Sequence, residues 1–219
     1  MTEEVELDAA SGWLEPRLAA EFPRLALEWV TVQTRCGPSP RALRARLREL
    51  SNGFRGPTVV AIRQRPVGHA YRVFFREIGL DPDVTRIPLE QAALERLLRG
   101  HFASRGLLED ALLISLVETG IGVWAVDGDL VDVGGLGIRI SVDGDMLGTG
   151  EDASPVAAGR LVVADAEAVH AILFGDVAPS HAPGAGTQRV ALFAVRVDGV
   201  PQIHIEEALW ICAEALSAG

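Results

Sequence analysis

Apolar residues recur along this chain with two periods, and the change falls near residue 120. Before it the spacing is mostly helical. RALRARLREL (41–50) repeats leucine at three- and four-residue steps, with Ser39 placed to cap the helix and Pro40 at its first position. SNGFRGP then reads as a loop, and TVVAI (58–62) fits either a strand or the entry to the next helix. A helix over about 67–78 sets Tyr71, Phe74, Phe75 and Ile78 on one side and Arg72 and Arg76 on the other, and Gly79 ends it. Pro88 opens another helix that Gly100 stops, and a mostly apolar one runs from about Leu107 to Glu118 before Gly120. LALEWVTVQT (25–34) is the exception in this half, because its alternation and β-branched residues predict a strand.

After residue 120 the period becomes two. Residues 122–148 read as short strands joined at Asp127-Gly128 and Asp143-Gly144, dipeptides that favour hairpin turns. Residues 148–159 form a loop, RLVVAD (160–165) a buried strand, and EAVHAILF (167–174) fits strand or helix, with strand favoured. A long Gly/Pro loop (175–188) leads to a strand over 189–199 and an amphipathic helix over 205–217. Helices early and strands late predict an α+β fold, with mostly antiparallel strands in layers packed against helices. A boundary near residue 55 marks an N-terminal α/β lobe (1–55) packed on the main body (56–219) without a flexible linker, so one structural unit is expected.

At 219 residues and 48% hydrophobic, the chain is long enough to bury a substantial core. No run reaches the ~18–20 apolar residues of a membrane span. The start, MTEEVELDAASGW, is acidic and lacks a signal pattern, so a cytoplasmic location is expected. Cys36 and Cys212 are far apart and without a neighbouring Cys or His, which fits two reduced thiols and no metal. No cofactor is implied, and the sequence sets no oligomeric state.

Every basic residue other than histidine is arginine, and the arginines are unevenly placed. Residues 1–106 carry 16 Arg against 13 acidic residues, whereas residues 107–219 carry 4 against 17. The net charge of −10 disfavours nucleic-acid binding for the chain as a whole. Only the first half can present a basic face, from Arg41, Arg44, Arg46 and Arg48 and from Arg72, Arg76, Arg96 and Arg99.

The order of motifs carries a family resemblance. A helix running into REIGLDPD, then R-x-P, then a helix ending in LLRG, resembles the start of the tRNA-binding and editing domain of the phenylalanyl-tRNA synthetase β subunit. ISLVETGIGVWAVDGDLV, LVVAD, ILFGD and GTQRVALFAV follow in the order that domain has, so the likeness covers roughly residues 60–197. It implies a stand-alone homologue that binds tRNA at Arg72, Arg76, Arg96 and Arg99 and hydrolyses a mischarged aminoacyl-tRNA ester in trans. Such chemistry needs a buried polar group to recognise the wrong side chain, a positioned water and donors for the oxyanion.

Position by position the resemblance departs from that chemistry. The family's asparagine falls on Leu113, its histidine on Trp124 and its glutamate on Phe193. Its glycine is kept as Gly175, but the small residue before it is Phe174. Either the pocket takes an apolar group or it has been filled in. The alternative function is a non-catalytic module that binds an amino-acid-like or apolar small ligand, or a protein partner.

Ser180 and His181, with Thr187 nearby, are the remaining polar candidates at the mouth of that pocket, although a Ser and His adjacent in sequence point apart. Alternation puts His204 and Glu206 on one side, but no third metal ligand is identifiable. His170 sits in an apolar run and reads as a core residue; His69 and His101 flank helix ends. The Asp-Gly-Asp turns lack EF-hand spacing, and GGLG (134–137) lacks the Lys-Ser/Thr and helix of a phosphate loop.

Overall fold

The computed structural model describes residues 9–54 and 56–218, so the acidic residues 1–8 lie outside it. The chain folds as two mostly antiparallel sheets packed with helices, an α+β arrangement. The first sheet has the order β1 (Ala10–Ser11), β3 (Ala26–Gln33), β10 (Arg189–Arg196), β4 (Val123–Asp127). β3 and β10 pair along their whole length, from Ala26 opposite Arg196 to Gln33 opposite Arg189. Val190 to Val195 are all buried, and successive strand residues face opposite ways, so both faces of β10 are covered. This explains a continuous apolar run where a half-exposed strand would alternate.

The second sheet runs β2 (Trp13–Leu14), β5 (Gly137–Ile140), β8 (Leu161–Ala164), β9 (Val169–Ile172), β6 (Met146–Leu147), β7 (Ser154–Pro155). Its β2–β5 and β6–β9 pairs are parallel. Val163 and Ala171 join the main core, whereas Val162, Ala164 and Val169 pack in a smaller cluster with Leu147, Val156 and Ala178. The sheet therefore has apolar contacts on both faces.

Helices α2 (Arg41–Gly53), α6 (Leu107–Thr119) and α7 (Gln202–Ser217) pack in series, with α6 and α7 also meeting the first sheet. Ser115 on α6 donates to the Ala208 carbonyl of α7 at 2.7 Å, and Arg46 on α2 makes a two-bond pair with Glu118 on α6. The chain also forms the short helices α1 (Pro16–Glu21) and α3 (Gly56–Ala61) and the longer α4 (Pro66–Glu77) and α5 (Pro88–Arg99). Gly100 and Gly120 end α5 and α6 at positive φ, as the sequence indicates.

Several expectations need correction. β3 of the N-terminal segment lies between β1 and β10, and one core cluster spans residues from Leu18 to Leu216. Pro40 is the N-cap residue of α2, not its first helical position, and Ser39 makes no capping bond. Ser51–Gly53 continue α2, and residues 56–61 are helical. Neither Asp-Gly turn closes a hairpin, because β4 pairs with β10 while β5 pairs with β8 and β2. α7 starts at Gln202, so His204 and Glu206 do not share a strand face; His204 instead lies 3.5 Å from Glu207, one helical turn on.

Candidate functional site

The candidate residues divide among three places. Leu113, Trp124 and Phe174 come together on a cleft of about 450 Å³ between α5 and α6, beside the start of β4. Leu112, Leu113 and Leu116 supply one wall from α6, and Trp124 and Phe174 lie across from them. Arg86, Arg96, Arg99 and Arg105 stand around it, with Glu95, Glu109 and His101. Four guanidiniums against two carboxylates leave the rim positive, in contrast to the acidic chain.

Trp124 and Phe174 are held by an aromatic cluster. Trp124 stacks on Phe193, with centroids 6.1 Å apart and planes 15° apart, and meets Phe174 edge-on at 5.6 Å. Phe174 also touches Tyr71, Phe74 and Phe75 of α4. The Tyr71 hydroxyl donates to the Val195 carbonyl at 2.7 Å, which satisfies it; its burial pushes the phenol well above its usual range. Phe174 is the one non-glycine among the described residues with positive φ, at 59°. It occupies the third position of a turn that the Gly175 amide closes onto the Ile172 carbonyl at 2.8 Å. A bulky residue in this conformation costs roughly 1–3 kcal/mol, which the surrounding rings offset. Strain of this kind gathers at ligand clamps.

Phe193 is buried behind Trp124, and the Trp124 indole N–H donates to the Gly175 carbonyl at 3.2 Å. Trp124 and Phe193 are cross-strand partners, so their rings cover the face of β4 and β10 where the resemblance implies an editing pocket. Gly175 is exposed beside the indole and lines no part of the cleft.

Thr187 is buried and donates to Asp127, on the β4 side of β10, away from Ser180 and His181. Those two residues join a polar cluster beneath the second sheet, with His170, Asp165 and Thr149. Sequence reading assigns His170 to the core, and it is buried; its contact with His181, 11 residues later, has no signal in the local pattern.

Of the arginines expected to bind RNA, Arg72 is corrected. It is 6% exposed, bonds both oxygens of buried Glu90 at 2.9 Å and reaches Asp83 at 2.8 Å. Arg96 donates twice to the Ser51 carbonyl, and Arg76 and Arg99 are exposed. Arg96 and Arg99 share the cleft rim, and Arg76 does not. Among the described residues no group of three or more His, Cys, Asp or Glu could hold a metal ion, and no helix is long and apolar enough to cross a membrane. Neither a family model nor a curated protein matches this chain.

Proposed function

We propose that the chain is a binding module for a small ligand with an apolar or aromatic body and an anionic end, held in the α5–α6 cleft. One observation carries this reading: a leucine and aromatic floor in a concave volume of about 450 Å³, rimmed by four arginines. Small-molecule sites combine apolar lining with a few convergent charged groups in this way. An amino-acid-like carboxylate fits, with its side chain on Leu113, Trp124 and Phe174 and its charge toward Arg99 and Arg86. Among the described residues these two arginines make no ion pair, so they are free to take an anion.

A second reading, hydrolysis in trans of a mischarged aminoacyl-tRNA by a homologue of the synthetase editing domain, draws support from the same rim. An apolar aminoacyl group would occupy the floor and the nucleic-acid backbone would meet the arginines. The floor itself supplies no base or free donor, since the one indole N–H is taken by Gly175. The groups able to move a proton, His101, Glu95 and Glu109, stand on the rim, away from the apolar floor.

Titration of the protein with N-acetylphenylalanine, phenylacetate and their uncharged amides, followed by calorimetry, tests the binding reading. Carboxylates should bind more tightly than amides, and Arg99→Ala should remove the difference. If none of the four binds at millimolar concentration, the reading fails. Incubation with a panel of mischarged tRNAs separates the second reading, because only an editing protein accelerates deacylation. A filter-binding titration adds that RNA affinity must fall as salt rises if phosphates are contacted.

A further inference from the structure

The cluster beneath the second sheet is a continuous chain of proton-carrying groups that ends at the surface. The bulge in the β8–β9 ladder builds it. Val163 faces Ala171 and Ala164 faces Val169, so His170 is the extra residue. Bulges re-aim side chains and recur beside active sites. The His170 imidazole is buried, with Nε2 2.9 Å from Asp165 Oδ2 and Nδ1 2.9 Å from His181 Nδ1. His181 is also buried, and its Nε2 lies 3.3 Å from Thr149 Oγ1. Thr149 is exposed.

These contacts favour one proton order when Asp165 is ionised. The Asp165 charge, 2.9 Å away though outside hydrogen-bond geometry, favours the proton on His170 Nε2, which leaves a lone pair at Nδ1. His181 must then donate from Nδ1, which leaves the Nε2 lone pair facing the Thr149 hydroxyl. Thr149 is held in place by its backbone amide, which donates to Ser180 Oγ at 3.0 Å. Gly148 permits that approach, because a Cβ there would sit 2.4 Å from the same oxygen.

We propose that Thr149 is a nucleophile for acyl transfer from activated carboxylic esters, with His181 as its general base and His170 and Asp165 as positioning residues. Thr149 Oγ1 attacks the ester carbonyl carbon while its proton passes to His181 Nε2. The C–O bond to the leaving group then breaks, and the leaving oxygen takes the proton back from Nε2. Water repeats the sequence at the threonyl ester, releasing the carboxylic acid and restoring the hydroxyl. Hydroxyl, imidazole and buried carboxylate play the same parts in the serine-hydrolase triad, here with a second imidazole in the chain. The site is separate from the α5–α6 cleft and does not depend on its occupant.

The probe is p-nitrophenyl acetate. The chain has no lysine, so the side-chain amines that usually take up this reagent are missing. The expected result is a burst of nitrophenolate close to one equivalent and an acetyl group on the peptide containing Thr149. Thr149→Val should abolish both, and Thr149→Ser should retain them. His181→Gln should slow acylation roughly 100- to 10,000-fold. The rate should rise with pH to a plateau whose midpoint lies below histidine's usual 6.5, since burial and the neighbouring His170 hold His181 low against the pull of Asp165. Those two are the titratable groups that face it; Thr149 and Ser180 complete its surroundings. Asp165→Asn should move the midpoint further toward acid, which a purely structural role would not do. No burst, acetyl on Cys36 or on His69, His101 or His204 alone, or an unchanged Thr149→Val protein would overturn the proposal. Thr149 is exposed, so its variants decide the matter even if a histidine variant fails to fold.

Discussion

Replacing Glu90 with Gln tests whether Arg72 is a structural residue or a ligand contact. Arg72 and Glu90 are 6% and 7% exposed and share two 2.9 Å contacts that join α4 to α5. Removing one partner of a buried pair leaves a desolvated charge, at a cost of about 3–5 kcal/mol. Arg72 keeps Asp83 at 2.8 Å and the Pro82 carbonyl at 3.3 Å, and Asp83 is half in solvent, so the loss belongs at the lower end, about 3 kcal/mol. For a chain of this length that lowers Tm by roughly 6–12 °C. Replacing both residues with Met removes the charges together and should recover most of the loss, because an apolar pair of similar volume is often neutral or better. Urea unfolding of the three proteins gives the comparison, with ligand or RNA affinity measured alongside. A Glu90→Gln cost below about 1 kcal/mol would refute the buried-pair argument. A stable double variant that had lost binding would return Arg72 to the role the sequence suggested.

Other outcomes follow from the same contacts. Trp124→Ala removes the stack on Phe193, the edge contact with Phe174 and the bond to Gly175, and should cost about 3 kcal/mol in urea unfolding. It should also enlarge the cleft so that bulkier aromatic acids bind than in the parent, as calorimetry would report. Gly148→Ala combines a φ of 81° with a Cβ contact of 2.4 Å and should destabilise by about 1–2 kcal/mol. The Arg139 guanidinium bonded to Asp145 holds that carboxyl below its usual range, and the Val142 amide adds to this. Because its folded pKa lies below the unfolded value near 3.9, Asp145 stabilises above about pH 4 and loses that contribution as pH falls through the folded pKa. The acid limb of urea midpoint against pH should therefore be shallower in Asp145→Asn.

Local punctuation made much of this fold legible. Pro88, Gly100 and Gly120 bound α5 and α6 as expected, since φ preferences act within a few residues. The strand at 26–33 was readable because β-branched residues and alternation coincide there. Partner choice was not readable. The Asp127-Gly128 and Asp143-Gly144 turns have the right chemistry for hairpins, yet β4 gains more by joining the buried β10 than by folding back on a neighbour. Arg72 shows the same limit. It borders the apolar face of α4, one turn before Phe75, and only Glu90, 18 residues later, gives the buried guanidinium its partner. His170 was correctly read as buried, but a bulge and a turn 11 residues away had to bring His181 to it.

The aromatic residues also bear on where a ligand can sit. Leu113, Trp124, Phe174 and Phe193 fall where the resemblance expects polar or small residues around one inter-strand pocket, yet they do not act alike. Phe193 and Trp124 stand opposite one another on β10 and β4, and their stacked rings cover one face of that strand pair. Phe174, which a small residue could not replace in contact, is driven to positive φ and reaches Tyr71, Phe74 and Phe75. What remains open is the outer side of Trp124 and Phe174, and there Leu113 and the α5 arginines meet them. Filling the inner space thus supplies the floor of the outer cleft. A polar residue placed at one of these positions would lose packing without gaining a site, because the neighbouring rings still cover it. An open pocket at this place would require Trp124, Phe174 and Phe193 to change together.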